Sequence, residues 1–378
     1  MIRFHHPKYC FLILILSSYI SFSTPSQCVC FNLPLRPKGG CNVSPAQPFF
    51  SLTALQSFLP NLEREELECS FDRRIIAIGD VHGDLSSFQR CMRIGGLIDG
   101  KNQWCGKDAV VVQIGDIFDR GDEDLEILQA IHRLDAQAKT DGGSVISLIG
   151  NHEVMSVMGN HRYITQKSCV PFNRLKEDID EWLGGDWSDF NHLPEHERCR
   201  AAALSPGGMF SNVLSKHPIA LKVGSTVFCH GGLTSNHLTQ QSIAEMNREC
   251  EQWILGHGPF PACLMGADSP VWNRDFSLPE SYDLPTLEVR EELEQTLNLV
   301  GAERMVVGHT PQRVGINSAC EGKVWRIDAG VSAFYGGLPQ VLEIYGDQIS
   351  VLTEYQRIPG DRRASKSKSL SQAVVRIQ

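Results

Sequence analysis

Six polar residues that can bind metal ions stand directly after short apolar runs of this sequence. They are carboxylate, amide and imidazole residues, with no thiolate among them: Asp80, His82, Asp116, Asn151, His230 and His309. Such a mixture of oxygen and imidazole ligands suits manganese, iron or zinc and does not suit a structural zinc knot. Because a carboxylate has two oxygens, Asp116 can bridge two cations, and cations about 3.5–4 Å apart can activate a shared water and hold phosphoryl oxygens. The chemistry that these residue types predict is hydrolysis at a phosphorus centre.

The apolar runs that lead into these residues are typical of buried β-strands. Each run is short, rich in β-branched residues and bounded by glycine; the runs span 75–78, 109–114, 145–149, 226–229 and 305–307. In layered α/β proteins the carboxyl ends of the strands meet at one edge of the sheet, where ligand sites form. Core packing alone hardly explains five such endings, so we expect the six polar residues to converge.

Helical patterns separate the strands. Leucine and isoleucine recur at helical spacing in segment 123–139, and Leu293 and Leu297 do so in segment 288–300, where Gly301 supplies a stop. Segment 160–208 is rich in tryptophan, histidine and charged residues and lacks strong strand signals. We expect it to form a mostly helical insertion over the site.

Three motifs then occur in a fixed order: Gly-Asp-Val-His-Gly at 79–83, Gly-Asp-Ile-Phe-Asp-Arg-Gly at 115–121 and Gly-Asn-His-Glu at 150–153. Asp116 follows Asp80 by 36 residues, and Asn151 follows Asp116 by 35. This order resembles the signature of the phosphoprotein phosphatase (PPP) metallophosphatases. Further features over 73–355 are similar to the Shewanella-like protein phosphatases: Asp122, Pro206-Gly-Gly208, His230-Gly-Gly232, Val271-Trp-Asn-Arg274 and Gly308-His-Thr-Pro311.

The resemblance implies a calcineurin-like metallophosphoesterase fold of the α/β class, a β-sandwich flanked by helices. It implies two divalent or mixed-valence metal ions, Mn, Fe or Zn, one held by Asp80, His82 and Asp116. The second ion would be held by Asp116, Asn151, His230 and His309. By the same resemblance His152 is the general acid, Asp119 orients it, and Arg120 and Arg274 clamp the phosphate.

The function that the resemblance implies is a metal-dependent phosphoprotein phosphatase. It would hydrolyse phosphate monoesters by in-line attack of a metal-bridging hydroxide, with His152 as the general acid. A Ser or Thr alkoxide is a poor leaving group that needs this proton, whereas a Tyr phenolate, with a pKa near 10, needs it less. Two other interpretations are a dinucleoside polyphosphate hydrolase on the same scaffold and a catalytically inactive binding module. The presence of every expected ligand and of His152 disfavours the inactive module.

The sequence also departs from the common eukaryotic Ser/Thr phosphatases. Their Ser-Ala-Pro-Asn-Tyr loop is replaced by Asp328-Ala-Gly-Val-Ser332, and the Shewanella-like pattern usually has Met at Val331 and Asn at Ser156. We interpret Glu153 as a structural residue, although it stands inside a motif. Asp328 is either a partner of a metal ligand or a turn former.

Composition limits the classes of binding partner that this protein can have. The formal charge of −9 argues against nucleic acid and requires the positive field for a phosphate ester to be local. The expected partner is a phosphoprotein substrate, and regulatory partners are not indicated. Most of the 13 cysteines are interpreted as small buried residues, with disulfides or redox control as the alternative.

The chain divides into a signal peptide or targeting segment at 1–26, a linker or second targeting element at 27–72, a catalytic domain at 73–357 and a flexible tail at 358–378. The apolar run of the first segment, residues 10–22, is shorter than the ~20 residues of a spanning helix. We therefore expect no membrane contact beyond targeting, with an uncleaved anchor as the alternative. The predicted destination is the secretory route or an organelle reached through it, such as a plastid.

Overall fold

The Ile- and Val-rich runs form strands in a computed structural model, which describes residues 66–67, 73–278, 285–355 and 357–360. The strands are β1 Glu66–Leu67, β2 Arg74–Ile78, β3 Val110–Gln113, β4 Ser144–Ser147, β5 Ala220–Val223, β6 Thr226–Cys229, β7 Arg304–Val307, β8 Asn317–Ala319, β9 Val324–Arg326, β10 Gln340–Tyr345, β11 Gln348–Thr353 and β12 Arg357–Gly360. They build two six-stranded sheets, ordered β1-β5-β6-β7-β9-β8 and β12-β11-β10-β2-β3-β4.

Helices flank these sheets. They are α1 Leu85–Ile94, α2 Asp124–Thr140, α3 Asn151–Val157, α4 Val170–Asn173, α5 Lys176–Leu183, α6 Glu195–Leu204, α7 Ser211–Leu214, α8 Ser235–Gln240, α9 Ile243–Ile254 and α10 Leu287–Val300. Short 3₁₀ turns stand at Lys167–Cys169, Ala262–Leu264 and Cys320–Gly322. The two sequence-predicted helices match α2 and α10 within two residues at each end. Thr286 caps the start of α10, and Gly301 ends it in a left-handed conformation.

Parallel pairing explains why the strand sequences are continuously apolar. β2, β3 and β4 run parallel in register, with Ile76 opposite Val111 and Val111 opposite Val145. All four residues of β3 are buried. A parallel strand covered on both faces selects an unbroken run of β-branched residues. The carboxyl ends of these strands, and those of the parallel pair β6 and β7, are where the predicted ligands begin.

Two glycines allow these strand ends to approach closely. Gly115 has a φ of +100°, and a Cβ on it would lie 2.6 Å from the backbone nitrogen of Gly150. A Cβ on Gly308 would lie 2.4 Å from Asp80 Oδ1. Side chains at these two positions would force apart the chain segments that carry the predicted ligands.

Two short strands lie in or next to the segments predicted as linker and tail. Glu66–Leu67, in the predicted linker, pair in parallel with Lys222 and Val223. Arg357–Gly360, which span the predicted boundary between the catalytic domain and the tail, pair with β11. Both segments are edge strands, whose backbone hydrogen bonds hold them although their sequences lack an apolar pattern. The targeting segment 1–26 and the remainder of the predicted linker and tail lie outside the described residues, so their roles and the destination stay predictions.

Two further sequence expectations concern membranes and cysteines. Over the residues that the structure describes, no helix combines the length and apolar character needed to cross a bilayer. Eight cysteines fall in the same part of the chain; all are unpaired thiols, and six of them are buried. The described cysteines are therefore mostly small packing residues.

A buried histidine pair joins α2 to the segment before β5. His132 Nε2 lies 3.2 Å from His217 Nε2, and the rings are stacked. Burial, and next His132, lower the pKa of His217 well below its ordinary value. Burial also lowers the pKa of His132 to about 4, with Asp135 opposing the shift and Lys139 adding to it.

This pair predicts an acid-labile contribution to stability. Since the folded-state pKa values are depressed, the contribution is complete above the ordinary pKa of 6.5 and is lost as pH falls towards the folded value of about 4. We expect His217→Gln to lose about 1 kcal/mol less unfolding free energy than the wild type between pH 7 and pH 5, measured by urea titration. The exposed-site control His192→Gln should follow the wild type. Parallel pH curves for the wild type and His217→Gln would contradict the assignment.

Candidate active site

The six predicted ligands converge where the strands end. Each is at most 6% exposed, so all of them lie inside the protein. Asp80 and His82 follow β2, Asp116 follows β3, and Asn151 opens α3; His230 and His309 follow β6 and β7. The convergence joins the edges of both sheets, because His230 Nδ1 lies 3.0 Å from Ile114 O and His309 N donates to Asp80 Oδ2.

The Asp116 carboxylate lies at the centre of this cluster. Its Oδ1 is 3.4 Å from His230 Nε2, and its Oδ2 is 3.7 Å from His82 Nε2 and 3.9 Å from His152 Nε2. Two groups of potential ligand atoms share Asp116, each with all atoms within 4.8 Å of one another. One group adds His82 and His152, and the other adds His230 and His309. A carboxylate shared by two groups is the arrangement that a pair of cations requires.

Asp80 and Asn151 border these groups. Asp80 Oδ2 accepts a hydrogen bond of 3.1 Å from the backbone of His309, and Asn151 Oδ1 lies 3.0 Å from His230 Nε2. Burial, and next Asp328, raise the pKa of Asp80 well above its ordinary value. Burial raises the pKa of Asp328 itself to about 6, while its Oδ1 accepts from Gly330 N. Asp328 thus forms the turn, and its buried carboxylate also acts electrostatically on Asp80, a candidate ligand.

Divalent cations fit this set of donors. Burial lowers the pKa of His82 to about 3 and that of His309 to about 2, so both imidazoles are unprotonated at neutral pH and present a lone pair. His309 Nε2 is buried and has no hydrogen-bond partner within the described structure. Burial disfavours a charge on His230, yet Asp116 and Asp80 raise its pKa to about 10. The cluster combines unprotonated imidazole nitrogens with buried carboxylates, whose negative charge a divalent cation would neutralise.

Backbone strain concentrates at these residues. Of the ten residues predicted for the site, five adopt the left-handed region that non-glycine residues rarely enter: His82 at φ +44°, Asp116 at +56°, Asp119 at +69°, Arg120 at +67° and His309 at +67°. Each such residue costs on the order of 1 kcal/mol and persists only when its surroundings hold it.

The buried Glu153 carboxylate holds part of that strained backbone. It accepts from the backbone nitrogens of Asp116, Ile117 and Phe118 at 2.8, 2.9 and 3.1 Å, and from Gly150 at 2.8 Å. Burial, and next Asp116, raise the pKa of Glu153 to about 7. Glu153 therefore has a structural position, and it joins the second motif to the third.

A histidine–carboxylate pair lies beside the cluster. His152 Nδ1 donates to Asp119 Oδ2 over 2.6 Å, and both residues are buried. Burial acts to lower the pKa of His152, but Asp116 and the hydrogen bond to Asp119 outweigh it and raise that pKa above its usual value. The imidazole is thereby oriented with Nε2 towards the cluster, where it can carry a proton.

The two predicted phosphate-binding arginines have different surroundings. The Arg120 guanidinium lies over three rings, 5.3 Å from Tyr163, 5.4 Å from Phe334 and 5.0 Å from Tyr335. Arg274 is exposed, and its Nη1 donates to Thr310 Oγ1 over 2.9 Å. It lines a cleft of about 490 Å³ together with Gly266, Ala267, Trp272 and Asp275. One guanidinium is therefore enclosed by aromatic rings, and the other borders an open cleft.

Sequence reasoning missed the three rings around Arg120, which we call the aromatic rim (Tyr163, Phe334 and Tyr335). It also missed Arg200, a buried residue of α6 that contacts Asp119. No motif marks these residues, because they come from the 160–208 segment and from the loop before β10. For the rim, the signal in the sequence was the pair Phe334-Tyr335, which follows the segment that replaces the Ser-Ala-Pro-Asn-Tyr loop.

Comparison with known proteins agrees with the fold and identifies the family. The family model for calcineurin-like phosphoesterases matches residues 73–313. Shewanella-like protein phosphatase 2 of Arabidopsis thaliana is 35% identical over 316 residues, which cover 76% of this chain and 80% of that protein. Shewanella-like protein phosphatase 1 of Plasmodium berghei (strain Anka) is 29% identical over 292 residues, 74% of each chain. A solved cold-active protein-tyrosine phosphatase of a psychrophilic Shewanella species shares the fold, with a TM-score of 0.60 at 21% identity over 80% of this chain and 86% of that one.

The chain belongs to the calcineurin-like phosphoesterase family, whose members use divalent metal ions. Within that family it is a metallophosphoesterase of the Shewanella-like protein phosphatase type. The predicted family, the predicted fold class and the prediction of an enzyme are confirmed. The roles of the individual site residues, the substrate and the identity of the metals remain predictions.

The central position of Asp116 predicts that its charge is indispensable. Asp116→Asn should lose bound metal and phosphatase activity together, because the amide offers one ligand oxygen and no charge to two ions. Metal per chain, measured by plasma mass spectrometry after manganese loading and desalting, should fall from two to one or none. The exposed-site control Asp108→Asn should keep both metal and activity. Two metals retained in Asp116→Asn would contradict the bridging role.

Proposed function

We propose that this enzyme is a phosphoprotein phosphatase that hydrolyses phosphate monoesters with His152 as the general acid. The observation that carries the proposal is the 2.6 Å hydrogen bond between His152 and Asp119, next to a cluster of buried metal-binding side chains. A departing alkoxide needs a proton in the transition state, and a positioned imidazole supplies one.

The residues that would hold the two metal ions are those of the cluster. One ion would be held by Asp80, His82 and Asp116, and the other by Asp116, Asn151, His230 and His309. Manganese, iron or zinc would suit these ligands. When bound, such a pair lowers the pKa of water and offsets the negative charge of the phosphoryl oxygens.

The chain's own side chains would bind the substrate and move the proton. Arg120 and Arg274 offer planar forks that each grip two phosphoryl oxygens, which compensates locally for the net charge of −9. Asp119 holds the Nδ1 proton of His152, so that the proton on Nε2 is the one available to the leaving oxygen. Burial of the pair excludes water from competing for that proton.

We further propose that the aromatic rim favours phosphotyrosine among phosphoprotein substrates. Its three rings are 37–64% exposed and surround the guanidinium that is proposed to bind phosphate. A phosphotyrosine ring can pack against such a rim, whereas a phosphoserine side chain is too short to reach it. A dinucleoside polyphosphate hydrolase remains the alternative activity, and a preference for diadenosine tetraphosphate over phosphopeptides would indicate it.

The proposed acid predicts an effect that depends on the leaving group. His152→Asn should keep its metal and lose about 10²–10⁴-fold in kcat on a phosphoserine peptide, with a much smaller loss on an activated aryl phosphate. Steady-state kinetics with both substrates measure the two losses. The same substitution at an exposed position, His192→Asn, is the control and should change neither rate. Equal losses on both substrates would count against His152 as the acid.

The rim predicts substrate selectivity. Phe334→Ala should raise KM for a phosphotyrosine peptide about two- to tenfold, since an aromatic pair contributes about 0.5–1.5 kcal/mol. KM for a phosphoserine peptide of the same sequence should stay constant. Leu338→Ala, which removes another exposed apolar side chain from the same loop, should affect neither peptide. The proposal fails if diadenosine tetraphosphate is the preferred substrate, or if both peptides respond equally to Phe334→Ala.

A further inference from the structure

Arg200 is a fully enclosed cation behind the proposed catalytic pair. It lies on α6 in the 160–208 segment, and none of its surface is exposed. Its neighbours Arg198 and His196 are part-exposed, so the sequence of α6 gives no sign that this arginine points inwards. Burying a guanidinium is costly unless it is paired and hydrogen-bonded, so its partners indicate what it does.

The partners of Arg200 are two buried carboxylates and a hydroxyl. Nη1 donates to Asp124 Oδ2 over 2.6 Å, and Nη2 donates to Asp119 Oδ1 over 3.3 Å and to Ser156 Oγ over 3.2 Å. The guanidinium is also packed between rings, 5.2 Å from Phe118 and 5.3 Å from Phe172. These contacts fix both its position and the plane of its fork.

Asp119 divides its two oxygens between two partners. Its Oδ2 accepts from His152 Nδ1, while its Oδ1 accepts from Arg200. A carboxylate held at one oxygen only can rotate about its Cβ–Cγ bond, and a second contact prevents that rotation. The orientation of the His152 imidazole therefore depends on a residue that does not touch it.

The buried charges also indicate that Arg200 fixes the position of Asp119. Asp119 and Asp124 are both fully buried, and Arg200 donates to both of them. Without Arg200, two buried carboxylates would lose a shared cation, and Asp119 would be free to turn away from its neighbour. The 160–208 segment would thus supply Arg200, which holds Asp119 in the orientation that positions His152.

We propose that Arg200 is a positioning residue for general acid catalysis, acting on His152 through Asp119. This inference rests on the proposed role of His152. It assigns to the helical segment 160–208 a contribution to the chemical step, in addition to forming a surface of the site. Among the described residues, the side-chain hydrogen bonds of Arg200 go to Asp124, Asp119 and Ser156, and none of these is a candidate metal ligand.

The test uses Arg200→Met in the full-length, metal-loaded enzyme. Rates are measured on a series of aryl phosphates whose leaving phenols span a range of pKa. We expect kcat to fall about tenfold or more for the most basic phenol and less than threefold for the most acidic one, with KM and metal content unchanged. Arg198→Met, the same substitution two residues away on the same helix, should match the wild type. A uniform fall across the series, or no fall, would overturn the proposal.

A double-mutant cycle separates this mechanism from a merely structural role. If Arg200 acts through His152, then Arg200→Met should have no further effect in a His152→Asn background, because the shared function is already lost. An additive loss would contradict the proposal. In a crystal structure of Arg200→Met, the Asp119 carboxylate should be rotated and its hydrogen bond to His152 broken. An unchanged bond would overturn the proposal without reference to activity.

A conservative variant covers the case in which Arg200→Met does not fold. Arg200→Lys keeps the charge but loses the fork, so it should show the same leaving-group dependence to a smaller extent. A slope identical to that of the wild type would overturn the inference. Failure of the proposed function is distinguishable, since His152→Asn would then leave the leaving-group slope unchanged. A steep slope in His152→Asn with normal slopes in both Arg200 variants would refute only the role of Arg200.

Discussion

The shared Asp116 carboxylate is the constraint on which the site depends. Its backbone carbonyl accepts from Val81 N and His82 N, and its backbone nitrogen donates to Glu153. Its side chain accepts from His152 N and faces His230. One residue therefore connects all three phosphatase motifs and the other sheet. Moving it would disturb both groups of candidate ligands at once.

The cost of this arrangement appears as strain and buried charge. Positive φ angles at five residues of the predicted site and several buried carboxylates are tolerated because strands end there and Glu153 accepts hydrogen bonds from successive backbone nitrogens. A stable scaffold can hold such a site only when the surrounding shell is equally fixed. The 160–208 segment is part of that shell. Its Arg200 donates a hydrogen bond to Asp119, and its Tyr163 ring packs against the Arg120 guanidinium.

The sequence alone predicts those features that follow from a local residue pattern. The β-branched runs predicted the strands, and the polar residues after them predicted which side chains would meet, because parallel strands end together. Arg200 and Phe334 could not be predicted in this way, because their positions depend on tertiary packing of a helix and a loop. The edge strand Glu66–Leu67 was also missed, since a short strand is held by backbone hydrogen bonds that leave no side-chain pattern. The sequence left two roles open for Asp328; the structure shows the turn, and it shows that the carboxylate influences Asp80.

The most direct test of the central claim is anomalous diffraction from crystals of the manganese-loaded protein. If the strand ends form one two-cation site, two anomalous peaks will lie on either side of the Asp116 carboxylate, one towards His82 and one towards His309. A single peak, or peaks that share no ligand at Asp116, would contradict the account.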